Sequence, residues 1–275
     1  ASGTLVIAKA AATLSLGGLA QTFDGSAKTI SATTTPAGLT VTFTYNGSAT
    51  APTNAGSYAV VGTISEANYS GSDSGTLVIA KAAATVSLGS LAQTYDGSAK
   101  AATATTSPTG LTVNFTYDGL ATAPTNAGSY AVIGTISDTN YAGASPPGTL
   151  VIAKATAGVT LGNLTQAYDG NPKPASASTS PTGLSVSLTY NGSSTAPSSH
   201  GSYTVAATVN DANYNGSNSS TLIIQGQSMS NWRTQYFSPE QITAGLAADD
   251  ADPDGDGWKN LAEYALGMNP TSRNP

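Results

Sequence analysis

The feature that most constrains this chain is its own repetition. The segment "GTLVIAKA" starts at Gly3, Gly75 and Gly148, and an altered version, "STLIIQG", starts at Ser220. "TFDGSAK", "TYDGSAK" and "AYDGNPK" place an Asp-Gly pair at Asp24, Asp96 and Asp169, with spacings of 72 and 73 residues, and Tyr58, Tyr130 and Tyr203 keep the same two spacings. A period of this size means that one supersecondary unit has been copied, so a core has to be built three times over. The one extra residue falls between Tyr141 and Thr149, in "AGASPPG". That segment is read as a loop, where an insertion costs least.

Each copy has the pattern of β-structure throughout. "LTVTFTY" (residues 39–45), "LTVNFTY" (111–117) and "LSVSLTY" (184–190) alternate apolar and polar side chains. A period of two puts Leu39, Val41, Phe43 and Tyr45 on one face and the threonines on the other, so one face is buried and one is wet. Asn46-Gly47, Asp118-Gly119 and Asn191-Gly192 follow at once, and such pairs accept the positive φ of a tight hairpin turn. "SYAVVGTI" (57–64) and "TLVIAK" (76–81) supply further strands. Several short strands between turns in about 72 residues predict a small β-sandwich.

The stretches "NAGSYAV" at 54–60 and 126–132 and "SHGSYTV" at 199–205 resemble the tyrosine-corner segment of immunoglobulin domains. Val60, Val132 and Val205 stand where the disulfide cysteine would be. Together with the "YDG" turn, the "NY" pairs ending in Tyr69, Tyr141 and Tyr214, and the closing "GTLVIAKA", they are similar to the bacterial Ig-like MBG repeat of the YDG type. The resemblance covers residues 1 to about 225 and implies long, multi-repeat secreted or surface proteins in which such repeats act as stalk or spacer. The third copy departs most, with Pro172 and Pro174 after its turn and Gln225-Gly226 where the others have Ala-Lys.

The predicted organisation is a last strand of a preceding repeat at residues 1–9, Ig-like repeats at 10–81, 82–154 and 155–225, and a tail at 226–275. The 1–9 strand is expected to be a fragment of a longer array. Its alternative use is self-association, by completing the sheet of a neighbouring molecule and building a fibre.

Composition removes several functions. There is no cysteine, which excludes disulfides, thiolate metal sites and thiol nucleophiles. No apolar run reaches the roughly 20 residues of a membrane-spanning helix. The net charge is −6, of which residues 1–225 carry −2 and residues 226–275 carry −4. The basic stripe that nucleic-acid binding needs is missing. The one histidine, His200, replaces Ala55 and Ala127 of the other copies and is expected at the surface, not in catalysis. No Ser/His/Asp order, nucleophile elbow or phosphate-loop spacing is present, so the chain is expected not to be an enzyme. Two further possibilities were weighed. Lys28, Lys100 and Lys173 recur with Asn68, Asn140 and Asn213, as covalent Lys–Asn links would need, although solvated lysines are the simpler reading. Tyr69, Tyr141 and Tyr214 could serve a carbohydrate, although closing the core is their simpler use.

The tail has its own signature in "DDADPDGDGWKNLAEYALG". Calcium takes six to eight oxygens, and a 12-residue loop supplies them from positions 1, 3, 5, 7, 9 and 12, with glycine at 6. Asp252, Asp254, Asp256, the Trp258 carbonyl, Asn260 and Glu263 fill those positions, and Gly257 is sixth. Ca²⁺ is therefore the expected metal. Lys259 stands at the eighth position, where paired EF-hands place an apolar residue, and no second loop exists. The loop is thus similar to half a dockerin or a thrombospondin type 3 unit, and the single loop puts cohesin binding in doubt. The metal is expected to be structural, with affinity on the order of 10⁻⁴ M. Helices are predicted around it. Trp232, Tyr236 and Phe237 are expected as core, Ser238 as N-cap, and Trp258, Leu261, Ala262, Ala265 and Leu266 at helical spacing before a stop at Gly267.

The sequence therefore predicts a mainly β chain of tandem Ig-like sandwiches with a small α-helical calcium-loop tail. Its expected role is that of a non-enzymatic extracellular or cell-surface spacer. The alternatives are an adhesin or carbohydrate-binding module with a protein or glycan partner, and a fibre subunit.

Overall fold

In a computed structural model of the chain, the residues described are residue 3 and residues 6–273. The chain divides into two compact units with the boundary between Ala153 and Lys154. The first holds two repeats, and the second holds the third repeat and the tail.

Repeat 1 shows the plan. Its strands are β1 (Ala10–Ala11), β2 (Thr13–Gly17), β3 (Ala20–Thr22), β4 (Ser31–Thr35), β5 (Val41–Tyr45), β6 (Gly56–Ile64), β7 (Tyr69–Ser70) and β8 (Ser72–Ala80). One sheet runs β3-β8-β6-β5 and the other pairs β2 with β4, while β1 pairs in parallel with β7. The last strand, β8, lies inside its sheet, parallel to β3 on one side and antiparallel to β6 on the other. Each repeat is therefore closed by its own final strand, including the third, where Ser217–Gln225 takes that place.

The two-residue period puts its apolar members between the sheets as predicted. Val60, Leu77 and Ile79 form a core with Ile30 and Tyr45, and the same positions in the third repeat are Val205, Leu222, Ile224, Ala175 and Tyr190. Val60, Val132 and Val205 are fully buried, so packing alone holds the place of a disulfide. The corner tyrosines also behave as predicted. The hydroxyls of Tyr58, Tyr130 and Tyr203 donate to the carbonyls of Asn54, Asn126 and Ser199, each at 2.9 Å. A second buried tyrosine was not foreseen as a structural link. The hydroxyl oxygens of Tyr45, Tyr117 and Tyr190 accept the backbone N–H of Ile30, Ala102 and Ala175. The hairpin turn has φ of 47° at Asn46 and 82° at Gly47. Asn46 Oδ1 accepts the Ala59 N–H at 2.8 Å, which ties the turn to β6.

The extra residue of the second repeat lies outside the named strands, in residues 143–147, and it has an effect on the strand that follows. The last strand there is shortened to Gly148–Ala153, whereas its counterpart β8 begins at Ser72. Pro146 and Pro147 cannot donate to the ladder, so the paired strand starts only after them. One expectation needs correction: the recurrent lysines are not solvated. Lys28 is 8% exposed, and its Nζ lies 2.5 Å from Asp24 Oδ2. Lys100 and Lys173 make the same pair with Asp96 and Asp169. These lysines close the YDG turn.

Of the strand expected at residues 1–9, residues 1, 2, 4 and 5 lie outside the described residues, and residues 6–9 belong to no strand. Val6 and Ile7 are 82% and 84% exposed.

Repeats 1 and 2 meet in a defined joint. The Asn140 side chain of repeat 2 uses both halves of its amide there. Its Oδ1 accepts the Ala55 N–H at 2.8 Å, and its Nδ2 donates to Asn54 Oδ1 at 3.2 Å. Beside it the Tyr141 ring packs edge-on against Phe23, with centroids 5.4 Å apart. Lys81 Nζ donates to the Asp138 carbonyl at 2.5 Å and fixes the linker. Asn140 and Tyr141 are thereby engaged in packing, which leaves neither for the covalent link or the glycan platform considered from sequence.

The tail folds as three short helices, α1 (Met229–Tyr236), α2 (Pro239–Thr243) and α3 (Asn260–Leu266). Ser238 caps α2 in a reciprocal capping box with Gln241. Trp232, Phe237 and Ala247 form the core, with Tyr236, Ile242 and Tyr264 against it. The Tyr264 hydroxyl donates to the Gln227 carbonyl, which ties α3 to the linker that follows the third repeat. Gly267 ends α3 in the left-handed conformation predicted for it, at φ 73°. Among the described residues no helix is long and apolar enough to cross a membrane.

Candidate metal centre

The acidic loop is shaped by its own carboxylates. Asp252 Oδ1 accepts the Gly255 N–H at 2.9 Å and its Oδ2 accepts the Gly257 N–H at 3.0 Å. Asp254 Oδ1 accepts the Asp256 N–H, and Asp256 Oδ1 accepts the Trp258 N–H at 2.8 Å. These bonds wind the chain tightly, and only glycine enters such turns freely. Gly255 and Gly257 have φ of 73° and 94°. Arg273 Nε donates to the Asp254 carbonyl at 2.9 Å and anchors the outside of the loop.

The winding brings Asp252, Asp254 and Asp256 together, with a carboxylate oxygen of each within 4.8 Å of the others. Like charges this close repel strongly unless a cation lies among them. The remaining predicted positions follow the triad in the chain. Asn260 and Glu263 lie at the start of α3, and both are fully buried. Asn260 Nδ2 donates to the carbonyls of Leu246 and Ala248 at 2.8 and 2.7 Å. Its Oδ1 is buried with no hydrogen-bond partner among the described residues. A buried acceptor left in that state costs about 1–3 kcal/mol. Trp258, whose carbonyl is the predicted seventh-position ligand, has an exposed side chain.

The helical spacing read from sequence misplaced the buried face of α3. Leu261 and Leu266 are 52% and 57% exposed, while polar Asn260 and Glu263 face inward. The donors present match calcium in kind: hard oxygens, mostly anionic, from a loop with glycine at its bend.

His200 lies on the surface as expected. Its ring sits edge-on to Tyr168, with centroids 6.0 Å apart.

The fold defines the class: tandem Ig-like β-sandwiches, each closed by its own last strand, ahead of a helical tail with an acidic loop. The MBG domain matches residues 12–83, 84–156 and 157–228, so the chain belongs to the MBG domain family. The third match ends at the N-cap of α1, Ser228. Among solved structures, Sidekick-1 immunoglobulin domains 1-4 are similar at 12% identity over 78% of this chain and 76% of that one, with a TM-score of 0.29. Sidekick-1 immunoglobulin domains 1-5 are similar at 13% identity over 78% and 61%, also with a TM-score of 0.29. A sequence search of curated proteins finds no match.

Proposed function

We propose that this chain is a non-enzymatic extracellular spacer, built to hold a separation and carrying a structural Ca²⁺ site in its tail. The observation that carries the reading is repetition of one self-closed sandwich. Each copy fills its interior with its own side chains and joins the next through the strand that closes it. The family resemblance supports a cell-surface location, and the cysteine-free, sparsely charged composition is compatible with it.

In the tail, Asp252, Asp254, Asp256 and Glu263 would supply carboxylate oxygens to Ca²⁺, Asn260 its Oδ1 and Trp258 its carbonyl. The ion would neutralise the aspartate triad and satisfy Asn260, so it would stabilise a unit of about 50 residues that is small for its core.

The test is a heat-unfolding scan of the whole chain in millimolar Ca²⁺ and in EDTA, with glycan-array screening in both. The expected result is a tail transition that falls on chelation and silence across the array. An EDTA scan identical to the calcium scan removes the metal, and a saturable glycan signal replaces the spacer with a lectin.

An adhesin is the second reading, favoured by aliphatic side chains on the outer face of the four-stranded sheets. Val61 and Val78 in repeat 1 and Ile133 and Val151 in repeat 2 are 39–47% exposed. Pull-down of a defined surface protein that depends on Val61 and Val78 would favour this reading.

A further inference from the structure

The joint between repeats 1 and 2 has two halves. The giving half is the far end of repeat 1, with the Phe23 ring and the Asn54-Ala55 turn. The receiving half is Asn140-Tyr141 of repeat 2. Repeat 1 carries a receiving half of its own in Asn68-Tyr69, built on the same backbone frame. The Ala10 N–H donates to the Asn68 carbonyl at 2.8 Å, as the Ala82 N–H does to Asn140. The Ala12 N–H donates to Ser70 at 2.9 Å, as Ala84 does to Ala142. Lys9 Nζ donates to the Glu66 carbonyl at 2.6 Å, as Lys81 does to Asp138. What differs is cover. Asn140 is half-buried under its neighbour, whereas Asn68 is exposed. A recess of about 370 Å³ lies there, lined by Ile7, Lys9, Ala10, Asn68 and Tyr69 among others.

The adjoining segment indicates what would fill it. Residues 3–10 repeat residues 75–82 letter for letter. Ile79 is 2% exposed in the core that β8 closes, while its counterpart Ile7 is 84% exposed. Burying an isoleucine stabilises by about 1.5–3 kcal/mol, and that gain is unused at Ile7. We propose that Asn68, Tyr69 and residues 6–10 form a docking surface for the far end of another repeat of this kind, one whose closing strand takes in residues 6–9. Its recognition chemistry is an aromatic ring before an Asp-Gly turn, packed on Tyr69, and an Asn-Ala turn, read by the Asn68 amide. A second copy of the chain is a poor occupant. The far end of its first repeat is taken by Asn140, and its third repeat has Ser199 and His200 in place of the Asn-Ala pair. One element differs between the two receiving halves. Asp138 Oδ1 braces the N–H groups of Asn140 and Tyr141, whereas Glu66 Oε1 accepts the Thr40 N–H instead. The Asn68 turn is therefore less preorganised, and docking relies on the covalent linker.

The absence of cysteine allows a direct test. The full chain is extended by joining a copy of residues 12–74 to Gly3, and in a second version a copy of residues 84–147. Spin labels are placed at Thr33→Cys of repeat 1 and at the matching position of the added repeat. A reference pair at Thr33→Cys and Thr105→Cys spans the existing joint. Both extended chains are expected to give a distance distribution as narrow as the reference. Asn68→Ala with Tyr69→Ala should broaden only the new distance, and Asn140→Ala with Tyr141→Ala only the reference. A broad distribution in the unsubstituted extended chains overturns the proposal, as does one indifferent to Asn68 and Tyr69 or an added repeat that leaves Ile7 unprotected from amide exchange. Dimers of the native chain that vanish with Asn68→Ala and Tyr69→Ala would assign the face to a second copy and also overturn it.

Discussion

At the scale of the residue, the YDG turn is an ion pair with unequal exposure. The Lys28 side chain is 10% exposed and that of Asp24 is 59%. The hydrogen bond from Lys28 holds the Asp24 carboxyl below the usual range, helped by the Ser26 N–H, and Asp96 and Asp169 are lowered by the same partners in their repeats. A carboxyl depressed in the folded state contributes stability above its unfolded value, near pH 4, and that contribution is lost as the pH falls through the folded value. Asp24→Asn is therefore expected to lower the melting temperature of repeat 1 at neutral pH and to lower it less at acidic pH, as the native aspartate becomes protonated too. Lys28→Met should cost less than Asp24→Asn at neutral pH, because the aspartate left behind is solvated while the lysine left behind is not. Circular dichroism melts of the two variants at both pH values check the order. The sequence showed the Asp-Gly turn and the recurring lysine, but not that they meet. A spacing of four residues in irregular backbone does not say which way either side chain points.

At the scale of the element, strands were more legible than helices. Strict alternation fixed the inward face of residues 39–45, and Tyr45 lies buried at its end. It gave no partner for the Tyr45 hydroxyl, which reaches Ile30, 15 residues upstream. The recurring Asn-Tyr pair was visible as a motif, yet its work in the joint depends on a neighbour's loop that periodicity does not describe. In α3 the apolar spacing did not pick out the inward positions, which are the polar Asn260 and Glu263. Two outcomes follow. Leu77→Ala should cost about 2–5 kcal/mol, and denaturant titration should show that loss in the first repeat while the third keeps its transition. Asn260→Ala should abolish the difference between calcium and EDTA melts, and terbium luminescence excited through Trp258 should fall with it. A surviving luminescence signal would mean that the ion does not use position 9.

At the scale of the whole molecule, the number of repeats could be read from spacing alone, because a copied unit reveals its period without any knowledge of contacts. The effect of the "AGASPPG" insertion could not. Its two prolines remove ladder donors, and the loss appears only when the strand is paired. A chain ending at Gln225 is expected to keep the melting behaviour of all three repeats, because the third is already closed by its own strand. Calorimetry of that truncated chain beside the full one checks it, and the only transition missing should be the one sensitive to chelation.

The place of β8 has a mechanical consequence. Tension along the polypeptide leaves each repeat through a strand flanked on both sides, whereas it enters through β1 and β2, each hydrogen-bonded to a single partner strand. Pulling β8 lengthwise loads both its ladders at once, in shear, so its rungs must fail together and cannot be peeled one by one. Each link is therefore expected to open from its first strands and to hold at its last.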